Sequence, residues 1–216
     1  MASDTSVHHP IFARLYPKMA RAMERGGLGE HRAALLADLS GTVLEIGAGS
    51  GSNFLHYPTT VTRVVAVEPE PRLRRTAAAE AEQAAVPIEV VDGLAERLPV
   101  DDATVDAVVC SLVLCSVRDQ AAALREIGRV LVPGGQFRFL EHVRAEGRAM
   151  ARVQRIMDAT FWPRIAGGCR TGRDTAAAIE SAGFTFDRLE RFLFPDMRTP
   201  TSSHILGTAT RSGGDR

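Results

Sequence analysis

Apolar residues recur at two different periods along this chain, and the alternation of the two predicts its architecture. Ile11, Leu15, Met19 and Met23 fall four apart, the spacing of one helix face, and the run closes at Gly26-Gly27. Leu35, Leu36 and Leu39 mark one face of a second helix over His31–Leu39. Short apolar runs then appear at Thr42–Ile46, Arg63–Val67, Ile88–Val91 and Val105–Cys110, and each predicts a strand. The Val105–Cys110 run, apolar except for Asp106, suits a strand covered on both faces. Asn53–Tyr57 has room only for a short helix before Pro58. Pro71 opens a helix that runs to about Ala85, and Asp119 caps another through Leu131. Pro133-Gly134-Gly135 predicts a turn ahead of a fifth strand, Phe137–Val143. Helices over Arg148–Pro163 and Asp174–Ala182, then strands over Phe184–Phe192 and His204–Thr210, complete the chain.

Strands alternating with helices predict an α/β fold, a doubly wound and mostly parallel sheet of seven strands with helices on both faces. The last two strands follow one another without a helix, so one near the C-terminus is expected to be antiparallel. At 216 residues the chain reads as a single domain. Within it, residues 1–40 are expected to supply helices capping the active edge, 41–216 the sheet domain, and about 144–173 a small helical insertion. Ligands in such sheets bind beyond the carboxyl ends of the strands. The loops after Ile46, Val67, Val91 and Cys110 should therefore gather at one edge.

The first of those loops carries the strongest chemistry. Glu45-Ile46-Gly47-Ala48-Gly49-Ser50-Gly51 places three glycines two apart, after an acid. A dinucleotide loop of the form G-x-G-x-x-G would need glycine at position 52, which is Ser52. No Lys-Ser or Lys-Thr follows, which excludes a phosphate-cradling P-loop. Glu68 ends the second strand, 21 residues after Gly47, where an acid accepts hydrogen bonds from ribose hydroxyls. The plainer reading of Glu68 is a helix-opening acid in Glu-Pro-Glu-Pro. Asp92 either opens a turn or serves the same pocket. His142 ends the fifth strand at the same edge, as a general base or as a structural histidine.

Bulk composition narrows the partners. Lys plus Arg and Asp plus Glu both number 26, so the formal net charge is zero and no polyanion or nucleic acid is expected. The arginines at 144, 148, 152 and 155 read as a solvated helix face. No apolar run reaches the roughly 18 residues of a membrane helix, and Met1–Pro10 lacks a signal-peptide core. Three cysteines without paired spacing point to a reducing, cytoplasmic setting. Cys110 and Cys115 read as small packing residues, and Cys169 beside Arg170 as the more reactive thiol. No Cys/His cluster shows ligand spacing, so no metal is expected. Met1–Ser6 and Ser212–Arg216 read as loose ends, with His8 and His9 in the same N-terminal stretch.

Glu45–Gly51, Glu68, Ala107–Cys110 and Arg129-Val130-Leu131-Val132-Pro133-Gly134-Gly135 together resemble the class I S-adenosylmethionine-dependent methyltransferases of type 11. Finer features are similar to the methyltransferase-like thiol S-methyltransferases. These are Ser52-Asn53-Phe54 with Tyr57-Pro58, Leu112–Val117, Glu141-His142-Val143, and Gly168-Cys169-Arg170-Thr171 with Arg173-Asp174. The chain lacks the amino-terminal membrane anchor of the animal members, which implies a soluble bacterial relative. The resemblance implies a Rossmann-like sheet, S-adenosyl-L-methionine as cofactor and S-adenosyl-L-homocysteine as product. It assigns Glu45, Gly47, Ala48, Gly49, Gly51, Asn53, Glu68, Pro69, Leu94, Ala95, Ser111 and Leu112 to the cofactor. Pro69 would lie against the adenine, and Ser111 and Leu112 along the methionine half. Leu94 stands where many members carry an Asp facing the adenine amine. The acceptor site would combine Phe12, Tyr16 and Met19, His142, and the Arg152–Arg173 insertion with Phe161 and Trp162. Tyr16 and His142 are the candidate catalytic residues. The implied acceptor is a small hydrophobic molecule, foremost a thiol. O-, N- or C-methylation of a quinone, sterol or secondary metabolite, and a non-catalytic cofactor-binding protein, are the alternatives.

Overall fold

The structure, a computed structural model, describes residues 9–211. The loose ends expected at 1–6 and 212–216, and His8, lie outside the described residues. Helix α1 (Pro10–Met23) runs through a wide turn at Glu24–Leu28 into α2 (Gly29–Leu36). The kink falls at Gly27, whose φ of 111° places it in the left-handed region. Seven strands follow: β1 (Gly41–Ile46), β2 (Val61–Val67), β3 (Ile88–Val91), β4 (Val105–Ser111), β5 (Leu131–His142), β6 (Phe184–Leu193) and β7 (Ser203–Arg211). Between them lie α3 (Pro71–Ala81), α4 (Gln120–Val130), α5 (Arg148–Ala159), α6 (Trp162–Ile165) and α7 (Thr175–Ser181).

The strands form one sheet in the order β3-β2-β1-β4-β5-β7-β6. β7 runs antiparallel to both β5 and β6, as the helix-free link before it requires. The order reverses between β1 and β4, so the crevice opens between the loops that leave those two strands. Alternate residues of β4 feed two separate cores. Ala107 and Val109 pack toward Leu35 and Leu36 of α2 and Ala77 of α3. Val108 and Cys110 pack toward Leu124 and Ile127 of α4 and Ile179 of α7. Past the exposed Asp106 the strand is sandwiched this way and shows no polar face, which is why Ala107–Cys110 reads as a continuous apolar run.

Two expectations change. Pro133-Gly134-Gly135 does not end an element but lies inside β5. Leu131 pairs with Val105 and Gln136 with Ala107, so residues 132–135 bulge out opposite Asp106 alone. The segment read as one helix from Arg148 to Pro163 breaks at Thr160 into α5 and α6. Pro163 has no N–H to give α5 and fits instead in the first turn of α6. The acidic caps behave as read: Asp119 accepts from the Ala122 N–H and Asp174 from the Ala177 N–H. Among the described residues no helix is long and apolar enough to cross a membrane.

Candidate active site

Ile46 pairs with Val67 on one side and Cys110 on the other, so three loops leave the sheet at one level. Gly47 and Gly49 have φ of 66° and 59°, the left-handed region that favours glycine. Space excludes side chains there as well. A Cβ at position 47 would meet Val113 Cγ2 at 2.6 Å, and one at 49 would meet Tyr16 Cε1 at 3.0 Å. The Gly49 N–H donates to Glu68 Oε2 at 2.8 Å and the Glu70 N–H to Oε1 at 2.9 Å. Burial pushes the Glu68 carboxyl up to about 7, against the pull of those two N–H groups. Helix capping falls to Glu70, which accepts from the Arg72 and Leu73 N–H groups and leaves Glu68 free to face the loop. Arg74 fixes this corner, donating to the carbonyls of Glu68 (2.7 Å) and Pro69 (3.1 Å) and pairing with Asp92 at 2.9 Å. Beyond Asp92, Leu94 bridges to Arg97 and Ala95 is buried.

A buried polar chain lies beneath the glycine loop. Glu45 accepts from the Tyr57 hydroxyl at 2.6 Å and the Asn53 amide at 3.0 Å, and burial raises its carboxyl to about 7. Asn53 Oδ1 accepts from Arg32 at 2.7 Å, and the same Arg32 nitrogen donates to Ser111 Oγ at 2.8 Å. Arg32 Nε lies 3.1 Å from Glu24 Oε2, out of line for a hydrogen bond, so that contact is an ion pair. Sequence reasoning missed Arg32, which is 3% exposed. The available signal was a charge three and four residues ahead of Leu35 and Leu36, inside an apolar stripe.

The loop after β4 wraps a second buried acid. Glu141 accepts from the N–H groups of Val113 (3.0 Å), Leu114 (2.9 Å) and Cys115 (3.1 Å). Arg173 donates to the carbonyls of Leu114 (2.5 Å) and Val117 (2.7 Å) from the other side. Held this way, Leu112 adopts a φ of 62°, a conformation that costs a non-glycine residue on the order of 1–2 kcal/mol.

Helix α1 covers the crevice through Phe12 and Tyr16, whose ring centroids lie 4.9 Å apart. Tyr16 rests on Gly49, and Phe12 on Gly167, where a Cβ would come within 2.8 Å of its ring. One helix thus bridges the glycine loop and the segment after α6. Burial raises the Tyr16 phenol above its ordinary range, with Arg32 pulling the other way. Met19 and Phe161 stay exposed. At the end of β5, His142 packs on His204 with centroids 4.4 Å apart. Its Nδ1 lies 3.8 Å from Cys115 Sγ and 3.7 Å from Cys169 Sγ. His204 donates from Nδ1 to the Ser202 carbonyl (2.8 Å), and burial lowers its pKa to about 3, so it is neutral. A surface cleft of about 530 Å³, lined by Arg144, Arg148, Arg152, Arg155 and Arg191 with Asp174, contains none of the glycine-loop residues.

Residues 44–139 match the family described as a methyltransferase domain. The thiol S-methyltransferase TMT1A of Homo sapiens is 36% identical over 174 residues, covering 79% of this chain and 70% of that protein. The chain belongs to the class I S-adenosylmethionine-dependent methyltransferases. Within them it stands near the TMT1 branch. The human TMT1B thiol S-methyltransferase is 33% identical over 213 residues, 93% of this methyltransferase and 84% of that one. Curated N- and C-methyltransferases match as well. An S-adenosylmethionine-dependent methyltransferase from Thermotoga maritima shares the fold, with a TM-score of 0.69 and 21% identity over 94% of this chain and 99% of its own.

The cofactor of this methyltransferase is S-adenosyl-L-methionine, and the site fits it. The left-handed glycines 47, 49 and 51 let the loop backbone close against Val113, Tyr16 and Phe54 with no Cβ in the way, and the Glu68 carboxylate stands against the same loop. The fold brings Gly47, Ala48, Gly49, Gly51, Glu68, Pro69, Ser111 and Leu112 to this one edge. Glu45 and Asn53 lie under the loop, each bonded to its protein neighbours.

Proposed function

We propose that this methyltransferase S-methylates a small thiol held between Tyr16, His142 and the segment after α6. The bound cofactor supplies an electrophilic methyl group and leaves as S-adenosyl-L-homocysteine. Glu68 accepts the ribose hydroxyls in place of the Gly49 N–H, while Pro69, Leu94 and Ala95 flank the adenine. The glycine loop, Ser111 and Leu112 line the methionine half. Glu45 and Asn53 serve the cofactor indirectly, by holding the loop from below.

The observation that carries the thiol reading is the acceptor side itself. Phe12 and Tyr16 form an aromatic wall, and His142 supplies an imidazole from the end of β5. A thiol is already a few per cent thiolate at neutral pH, so a single imidazole taking its proton is enough. An alcohol would need a stronger base. The wall excludes water and aligns the sulfur in line with the methyl–sulfonium bond, at roughly 3–3.5 Å. The relatedness to thiol S-methyltransferases supports the same choice. A panel of alkyl thiols, phenols and amines, with S-adenosyl-L-homocysteine release as readout, tests it. Turnover of thiols above the other classes is expected. Turnover of phenols or amines without thiols would replace this reading with O- or N-methylation.

A further inference from the structure

We propose that Cys115, His142 and Cys169 form a binding site for one soft divalent metal ion of the Zn²⁺ class. The three residues are far apart in sequence, and the fold brings them together from three elements: the loop after β4, the end of β5 and the segment after α6. Their ligand atoms all lie within 4.8 Å of one another. His142 Nδ1 stands 3.8 Å and 3.7 Å from the two sulfurs. Zinc bonds of about 2.3 Å to sulfur and about 2.0–2.1 Å to nitrogen, at tetrahedral angles, need a sulfur–nitrogen separation of roughly 3.5–3.6 Å. A contraction of a few tenths of an ångström would close the set on an ion.

The backbone on both sides is pinned before any ion arrives. The Cys115 N–H donates to Glu141 Oε2 and its carbonyl accepts from the Arg170 N–H at 2.8 Å. The Cys169 N–H donates to the Ala166 carbonyl at 3.1 Å. Gly168, at φ 90°, leaves room for this docking, because a Cβ there would meet the Ser116 carbonyl at 2.9 Å. The surroundings match a thiolate ligand. The indole N–H of Trp162 is buried without an acceptor and lies beside Cys169, whose sulfur would accept it far better as a metal-bound thiolate than as a thiol. Two thiolates and a neutral imidazole also balance the charge of a divalent ion, which suits a buried position.

Three protein ligands leave one tetrahedral position open, the pattern of reactive rather than structural zinc. Resting on the thiol reading above, that position takes the acceptor's sulfur. The thiol binds as thiolate, and its proton goes to solvent. In the loaded enzyme the ion then replaces the imidazole of His142 as the group that displaces the proton.

Titration of the reduced, chelator-stripped enzyme with Co²⁺, followed by optical absorption, tests the site apart from methyl transfer. One equivalent with a sulfur-to-cobalt charge-transfer band is expected. C115S and C169S should lose the band while keeping the wild-type far-ultraviolet dichroism, and Zn²⁺ should bleach it by competition. The absence of a band in wild-type enzyme with all three thiols titratable overturns the site, as does a band that survives in the double serine variant. A Cys115–Cys169 disulfide that forms in place of metal binding also overturns it. A monothiol should shift the visible bands of the Co²⁺ form. An unshifted spectrum overturns the open position, and a thiol panel without turnover beside an intact band overturns the thiol reading and spares the metal site.

Discussion

At the scale of single residues, Glu68 and Arg32 show why some of the site is legible in sequence and some is not. Glu68 is legible because both halves of its placement are local patterns, an acid at a strand end and a glycine loop about 20 residues earlier. Arg32 is not, because its partners Asn53 and Ser111 lie 21 and 79 residues away. The same distance hides the Cys115–His142–Cys169 cluster, which no spacing rule for adjacent ligands detects. Glu68 also gives a pH prediction. Its carboxyl is raised to about 7 by burial, so the free protein is penalised as pH rises from the ordinary 4.5 through that value. Glu45 acts in the same direction. The melting temperature of the cofactor-free enzyme should therefore fall between about pH 5 and about pH 8. Affinity for S-adenosyl-L-homocysteine should move the opposite way and tighten as Glu68 ionises. Calorimetry on Glu68→Gln should show weaker binding with a flat pH dependence, and an unchanged affinity would remove its ribose role. Arg32→Met would leave Glu24 with His56 as its remaining partner and take the Arg32 donor from Asn53 and Ser111. A loss of about 3–5 kcal/mol is expected, seen as a lower denaturation midpoint.

At the scale of elements, the periodic patterns locate every strand, while local punctuation by Pro and Gly does not carry the effect of a neighbouring strand. In β5 the ladder resumes past Pro133-Gly134-Gly135 because β4 supplies partners on both sides of the bulge. Leu112 was read as an apolar lining residue, and its left-handed backbone carries no sequence signature because Glu141, 29 residues on, imposes it through the loop. Helix α1 ties the site together, since Phe12 and Tyr16 join the glycine loop to the segment after α6. Amides of α1 and of residues 47–51 should gain hydrogen-exchange protection when S-adenosyl-L-homocysteine binds. Gly49→Ala forces a Cβ against Tyr16 and a strained φ, and should abolish measurable cofactor binding while leaving the fold intact by circular dichroism. Binding at wild-type strength would show that α1 does not rest on the loop in solution.

At the scale of the whole molecule, the fold sets where chemistry can happen, and the relatives narrow which chemistry it is. The switch between β1 and β4 gathers the glycine loop, Glu68 and Leu112 at one edge, as the alternating pattern implies. The proposed acceptor side combines α1 with the segment after α6, far apart in sequence, and long-range assembly of that kind leaves little local trace. The central claim is methyl transfer from S-adenosyl-L-methionine to sulfur. Incubation with methyl-labelled cofactor and the best acceptor of the panel, followed by mass spectrometry and NMR of the product, tests it most directly. The expected product is a methyl thioether with the label on sulfur, formed in equal amount to S-adenosyl-L-homocysteine. Label on oxygen, nitrogen or carbon of the acceptor, or cofactor consumed with no labelled thioether, would contradict it.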